Sequence, residues 1–318
     1  ICINDRADLA LLAVQSGFQP WGLHLGQGDL PPSEARRLPG LESLHLGTST
    51  HGDAEWQEVD GACDHAGMGP FRATSTKTDH AEPIGLEGIH RGSVALRAQG
   101  VAPIAIGGLT LGDATSCFDA GAESLAMVGE ILPASDPGEL LWQAQVARWK
   151  VRPPLQRGQG VALIGGSGSG KSILAQALAR RTGMPWHDLD EVVTGAAGKS
   201  IARIFAEEGE AVFRKREEAS LLPLLEGPCI LALGGGAWES EVIRHAVRQA
   251  HFQPLWIAER PVRAWARVAL DPSRPLAADR DTFMERWRQR TSRWAEAPMV
   301  MPLGRSAEDL ATALGGNC

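Results

Sequence analysis

The chain is 318 residues long, 43% hydrophobic and 22% charged, with a formal net charge of -7. That length favours two domains, each large enough to bury its own core. The acidic balance supplies no basic field for nucleic acid or an anionic membrane surface, and no apolar run approaches the ~20 residues that span a bilayer. Cys2, Cys63, Cys117, Cys229 and Cys318 stand far apart without a C-x-x-C pair. This spacing suits reduced thiols in a cytoplasmic protein rather than a disulfide frame or a zinc site. The chain opens on Ile1, without a leader's basic, apolar and small-residue regions, and reads as a fragment whose N-terminus is missing.

In chain order, Ile1–Asp5, Gly22–Asp29, His45–His51, Ala66–Pro70, Ile104–Gly108 and Ser124–Val128 read as strands. Each ends in polar or glycine residues. That pattern predicts a (β/α) barrel whose site gathers at the C-terminal strand ends; polar turns of an open α/β sheet are the alternative. Ser135-Asp136-Pro137 opens a helix that runs to about Trp149. Residues 151–159 follow, with Pro153, Pro154 and Gly158 and no apolar periodicity. They read as a linker between a domain at 1–150 and another at 160–318.

Val161–Ile164 is a short apolar run that reads as a buried strand. Gly165 to Ser172 then spells G-G-S-G-S-G-K-S. Ile173, Leu174, Ala177 and Leu178 recur at helical spacing until Gly183 stops the helix. Strand, glycine-rich loop and helix in this order form the phosphate-binding loop of nucleotide enzymes. The backbone N–H groups of Gly165, Gly168, Ser169 and Gly170 would turn toward the phosphates. Lys171 would reach the terminal phosphates of ATP, and the Ser172 hydroxyl would join a Mg²⁺ shell. Further apolar runs at Ile230–Leu233 and Pro254–Ile257 predict a doubly wound parallel sheet.

Trp186–Asp190 reads as extended, which would put Asp188 and Asp190 on one side of a strand. A phosphotransferase needs one acid near Mg²⁺ and another to take a proton from the attacking hydroxyl; a polar strand end is the other reading. Arg214 and Glu217 are three apart, so they could pair on a helix, the usual fate being a solvated ion pair. Gly234-Gly235-Gly236 closes a strand with no side chains, so backbone can approach a ligand closely. Residues 269–280 hold Pro272, Pro275, Asp271 and Asp279 and few large apolar groups. They read as a lid that excludes water on closing, or as an ordinary surface loop.

The order G-S-G-S-G-K-S, D-L-D, G-K-S-I, G-E-x-x-F-R-x-x-E, L-G-G-G-A and R-P-L, from about Gly160 onward, resembles shikimate kinase. The resemblance implies that Lys171 and Ser172 contact ATP and Mg²⁺, that Asp188 belongs to the metal shell, and that Asp190 binds shikimate and assists deprotonation of its 3-hydroxyl. It further implies that Arg214 and Arg290 clamp the shikimate carboxylate and that Gly234, Gly235 and Gly236 press against the ring. Arg274 would be the lid arginine at the transferring phosphoryl group, and Arg267 would lie along the adenine. Trp186 and His187 before the acids, and Trp294 after the last arginine, depart from the family pattern. Thr194–Ala197 looks like a small insertion. A gluconate or nucleotide kinase of the same loop class, or a ligand-sensing module without turnover, are the alternative functions.

The strand ends of the first half resemble thiamine-phosphate synthase over about Ile1 to Trp149. That likeness implies Mg²⁺ at Asp5 and Asp29 and pyrophosphate at Asn4. It puts Ser49 near an aminopyrimidine, phosphate groups at Thr74, Thr76 and Lys77, and a thiazole phosphate near Gly108. The substrates would be a pyrimidine pyrophosphate and the thiazole phosphate that displaces its pyrophosphate. The family begins with two further strand–helix units, so the expected barrel is incomplete, and Gly129-Glu130 replaces the serine–alanine of its final phosphate turn. A barrel of roughly six strands does not close as eight do.

Overall fold

The structure is a computed structural model that describes residues 1–73, 81–156, 158–269 and 279–315. The chain divides into two compact units, residues 1–151 and 152–318. Among the described residues no helix is long and apolar enough to cross a membrane.

In the first unit, strands β1 (Cys2–Asn4), β2 (Gly22–Leu25), β3 (His45–Thr50), β4 (His65–Met68), β5 (Ala102–Ile106) and β6 (Ser124–Ala126) alternate with helices. These are α1 (Ala7–Gln15), α2 (Pro32–Ala35), α3 (Asp53–Gln57), α4 (Gly85–Ala98), α5 (Ala114–Asp119) and α6 (Val128–Ile131), with α7 (Pro137–Val151) closing the unit. Every pairing is parallel, and the spatial order is β1-β2-β3-β4-β5-β6. Sequential parallel strands joined by helices are the layout of a (β/α) barrel. β1 and β6 each pair with one described strand, so the sheet is an incomplete barrel, as the resemblance implied.

Period-two alternation sets the two faces. Leu23 and Leu25 of β2 and Leu46 of β3 pack with Ala10, Ala35, Leu41 and Leu44. Ala66 and Met68 of β4 and Ala105 of β5 pack with Trp56, Ile89 and Leu96. The alternate positions, Asn4, His24, Ser49 and His65, therefore lie on the inner face. β2 is shorter than expected. It ends at Leu25 because the chain turns at Gly26, whose N–H is accepted by Asp29 Oδ2 at 2.7 Å.

The second unit runs β7 (Val161–Ile164), α8 (Lys171–Thr182), β8 (Trp186–Asp188), α9 (Leu189–Ala197), α10 (Ile201–Glu208), α11 (Glu210–Leu221), β9 (Ile230–Ala232) and α12 (Glu241–Gln249). It continues with β10 (Gln253–Ile257), α13 (Pro261–Val268), α14 (Arg280–Trp294), β11 (Met299–Val300) and α15 (Ala307–Leu314). The parallel sheet has the order β11-β10-β7-β9-β8 around a core that includes Ile164, Leu231, Trp238, Trp256, Trp287 and Trp294. This is the doubly wound sheet expected. β9 and β10 flank β7 on opposite sides, which opens a crevice at the carboxyl ends of the strands, where ligands bind such sheets.

One reading is corrected. Asp190 is not on a strand: β8 stops at Asp188, and Asp190 lies in the first turn of α9. The cause is local, since the Asp188 carboxylate accepts the Asp190 N–H at 3.0 Å and caps the helix. Thr194–Ala197 forms the last turn of α9, which Gly198 stops in the left-handed region at φ 62°.

Candidate active site

The carboxyl ends of β7, β8 and β9 bring three segments of the second unit together. After β7 the chain makes its glycine-rich turn and enters α8 at Lys171. Lys171 is buried and folds back over the loop: Nζ donates to the carbonyls of Gly165 at 2.8 Å and Gly166 at 2.9 Å. The Trp287 ring of α14 packs on the same loop, for a methyl on Gly166 would lie 2.1 Å from it. Ser172 Oγ donates to Asp188 Oδ2 at 2.5 Å. A cavity of about 260 Å³ opens here, lined among others by Gly168, Lys171, Ser172, Asp188, Asp190 and Arg267. Ser172 and Asp188 offer it a pair of hard oxygens. Such a pair fits Mg²⁺, which takes one or two protein ligands and completes its octahedron with water and phosphate oxygens.

Gly234–Gly236 after β9 forms the opposite wall. A methyl on Gly234 would lie 2.4 Å from Glu217 Oε1 and 2.7 Å from Asp190 Oδ1. One on Gly235 would lie 2.9 Å from Ser167 Oγ. One on Gly236 would lie 2.5 Å from Arg214 Nη2 and 3.0 Å from Arg290 Nη2. The bare glycine turn is therefore the floor on which an acid from α9, an acid and a guanidinium from α11 and a guanidinium from α14 converge.

Charges in this cluster are held by one another. Arg214 Nη1 pairs with Glu217 Oε2, and Nη2 with Glu210 Oε1, each at 2.8 Å. Arg290 Nε pairs with Glu239 Oε2 at 2.9 Å. Burial weakens the Arg290 proton, the neighbouring Glu239 opposes this, and the net pKa falls below the ordinary arginine value. For Arg214 burial acts the same way, but Glu217 and Glu210 outweigh it and the pKa rises. Glu217 is 0% exposed. Burial pushes its carboxyl up to about 7, against the pull of Arg214 and with a smaller push from Asp190. Its Oε1 has no hydrogen-bond partner among the described residues. Sequence reasoning had Glu217 as an ion-pair partner only. The added signal was the glycine turn, which leaves room for a buried carboxylate.

Arg267 lies on α13 and donates from Nη1 to the Gly168 carbonyl at 2.9 Å. Arg274 lies outside the described residues, as do 270–278 of the expected lid. Ser169 is buried in the loop, with Oγ 3.4 Å from Lys171 Nζ.

In the first unit, Asn4 ends β1 and Asp5 follows at φ 62°. A methyl on Gly26 would lie 3.1 Å from Asp29 Oδ2 and 4.0 Å from Asp5 Oδ1, so the two acids face one turn. Asp29 also lines a cavity of about 300 Å³ with Gln27, Thr48, Glu55 and Asp60. Ser49 Oγ sits 3.1 Å from His24 Nε2, and His24 Nδ1 sits 3.4 Å from His65 Nε2. This histidine pair was missed from sequence, although both residues stand at alternate, inward positions. Gly108, at φ 66°, packs against Arg72 and the Ala73 carbonyl. Thr74, Thr76 and Lys77 lie outside the described residues.

The shikimate kinase family model matches residues 167–311, and the thiamine monophosphate synthase model matches residues 1–131. Shikimate kinase of Ruegeria pomeroyi is 37% identical over 145 residues, 44% of this chain and 74% of that protein. Thiamine-phosphate synthase of Prochlorococcus marinus is 41% identical over 136 residues, 42% of this chain and 36% of that protein. The chain thus spans little more than a third of that synthase's length. Among solved structures, shikimate kinase from Acinetobacter baumannii in complex with shikimate is 26% identical, with a TM-score of 0.47, over 49% of this chain and 90% of that one. Through its second unit the chain belongs to the shikimate kinase family, and its first unit matches the thiamine monophosphate synthase family.

Proposed function

We propose that the second unit transfers the γ-phosphoryl group of ATP to the 3-hydroxyl of shikimate. The observation that carries this reading is the convergence of Arg214, Arg290 and Asp190 on one glycine turn, facing the lysine and serine of the phosphate loop. Two guanidinium groups on one floor suit a planar carboxylate. Asp190, beside them, suits a ring hydroxyl.

In this reading the loop amides and Lys171 hold the phosphates. Ser172 and Asp188 would hold Mg²⁺, which when bound would offset the negative charge of the phosphates. Asp190 accepts the proton of the 3-hydroxyl as its oxygen bonds to the γ-phosphorus and the bond to ADP breaks. Arg214 and Arg290 orient the acceptor through its carboxylate, and orientation supplies much of the rate in phosphoryl transfer. Arg267 flanks the nucleotide, and Arg274, outside the described residues, serves the transferring group.

Coupled ADP release with shikimate and with gluconate as acceptors tests the reading. Shikimate-dependent ADP release, lost by at least about 10²-fold in Asp190→Asn with ATP binding kept, is the expected result. Release with gluconate alone would assign another small-molecule kinase. ATP binding without release to either acceptor would assign a sensing module.

We also propose that the first unit carries the metal-binding part of a thiamine-phosphate synthase site, with Asp5 and Asp29 on Mg²⁺ and Asn4, Ser49 and Gly108 along the substrates. The facing of Asp5 and Asp29 across the Gly26 turn supports it. Thr74, Thr76 and Lys77 would take phosphate groups. Pyrophosphate release from the pyrimidine pyrophosphate and thiazole phosphate by this chain is the test. No release would reduce the reading to ligand binding.

A further inference from the structure

Glu259 has no part in the reaction just proposed, and no motif marks it. It follows β10 by two residues and is only 7% exposed. Oε1 accepts the Arg260 N–H at 2.8 Å. Oε2 lies 2.8 Å from Arg267 Nη2, while Arg267 Nη1 donates to the Gly168 carbonyl of the phosphate loop at 2.9 Å. The guanidinium is thus anchored at both terminal nitrogens, by a carboxylate behind and by the loop in front.

Donor N–H bonds of a guanidinium lie in its plane. Two such anchors fix the plane and leave its faces open. The Arg267 side chain is still 51% exposed, and it lines the same cavity as Lys171 and Ser172. An unanchored arginine here would sample many rotamers and lose that freedom on every binding event. Burying Glu259 has its own desolvation cost, which the pairing offsets. The arrangement makes sense if the orientation of Arg267 matters.

We propose that Glu259 is a positioning residue for the nucleotide: it holds the Arg267 guanidinium at the mouth of the phosphate loop as a preformed stacking face for the base of a nucleoside triphosphate. This rests on the reading of the loop as the ATP site.

The test is calorimetry on the full chain with a non-hydrolysable ATP analogue and with inorganic tripolyphosphate, which has the phosphates but no base. Glu259→Gln should weaken the analogue about 10-fold and leave tripolyphosphate within about twofold. Arg267→Met should lose as much, and the double variant no more, because both act through one contact. Glu259→Asp, which keeps the charge one methylene short, should fall between, and it carries the same comparison if Glu259→Gln does not fold. Equal weakening of analogue and tripolyphosphate would show that Glu259 only shapes the loop and would overturn the proposal. So would unchanged analogue binding. No acceptor is needed, so failure of the shikimate reading would show separately, as the analogue bound here while ATP with shikimate releases no ADP.

Discussion

Arg214 commits its two terminal nitrogens to Glu217 and Glu210 and still crowds Gly236 beside Arg290. A lysine at this position is a point charge and cannot hold two carboxylates in one plane while facing a third. Arg214→Lys should therefore raise the KM for shikimate about 10- to 100-fold, the range expected for losing a charge-assisted bidentate contact. The KM for ATP should stay within about twofold, because Arg214 is absent from the cavity around Lys171 and Ser172. Steady-state kinetics with each substrate varied in turn checks this; an equal rise in both would place Arg214 in general folding instead. The three-residue spacing of Arg214 and Glu217 was legible in the sequence as a helical pair. Its burial was not, because what buries it is a glycine turn whose approach to α11 is a property of the sheet order. Arg267 was legible only through the family motif, and its anchor Glu259 not at all, since nothing in a run of residues tells a strand-end acid that is buried from one that is solvated.

At the level of elements, β3 and β4 show how one small residue sets a neighbour's place. A methyl on Gly47 would lie 2.0 Å from His65 Nε2, and His65 is buried, so its ring has little room to withdraw. Gly47→Ala should destabilise the first unit by about 1–3 kcal/mol, the usual cost of overpacking. His65→Ala in the same chain should recover part of that loss. Denaturant midpoints of the first unit for the two single variants and the double variant measure the coupling, and strict additivity would refute the contact. Most strands were legible as apolar runs closed by glycine or polar residues, whereas the two-residue β11 at Met299–Val300 was not. The start of α9 was misread because D-L-D alternates as a strand does, although Asp188 followed by Asp190 and Glu191 is also a helix-cap pattern. Local alternation and local capping competed, and the hydrogen bond from Asp190 N–H to Asp188 decided for the cap.

Over the whole molecule, the two units place a buried titratable group of opposite kind in their cores. In the first, burial holds His65 down at about 4 from an ordinary 6.5, with His24 and His45 adding to the effect. The unfolded chain then binds the extra proton, so the stability His65 contributes is full above about 6.5 and is lost as pH falls toward about 4. In the second unit Glu217 is pushed up to about 7 from an ordinary 4.5. Here the folded state binds the extra proton, so its contribution is full below about 4.5 and is lost as pH rises toward about 7. Each difference corresponds to roughly 3 kcal/mol at most. Acidification through the shared window should therefore weaken the first unit and strengthen the second. Exposed paired acids such as Glu207 and Glu208 act against Glu217, but solvent screens them, so the effect is read by difference. Unfolding of the full chain followed across pH should show two transitions. Glu217→Gln should remove the upward drift of the second on acidification, and His65→Phe should flatten the downward drift of the first. Each substitution should leave the other transition's slope untouched, because each titration belongs to its own core. A single transition whose slope changes with either substitution would mean that the two units unfold as one body, and the pairing of opposite pH responses would fail.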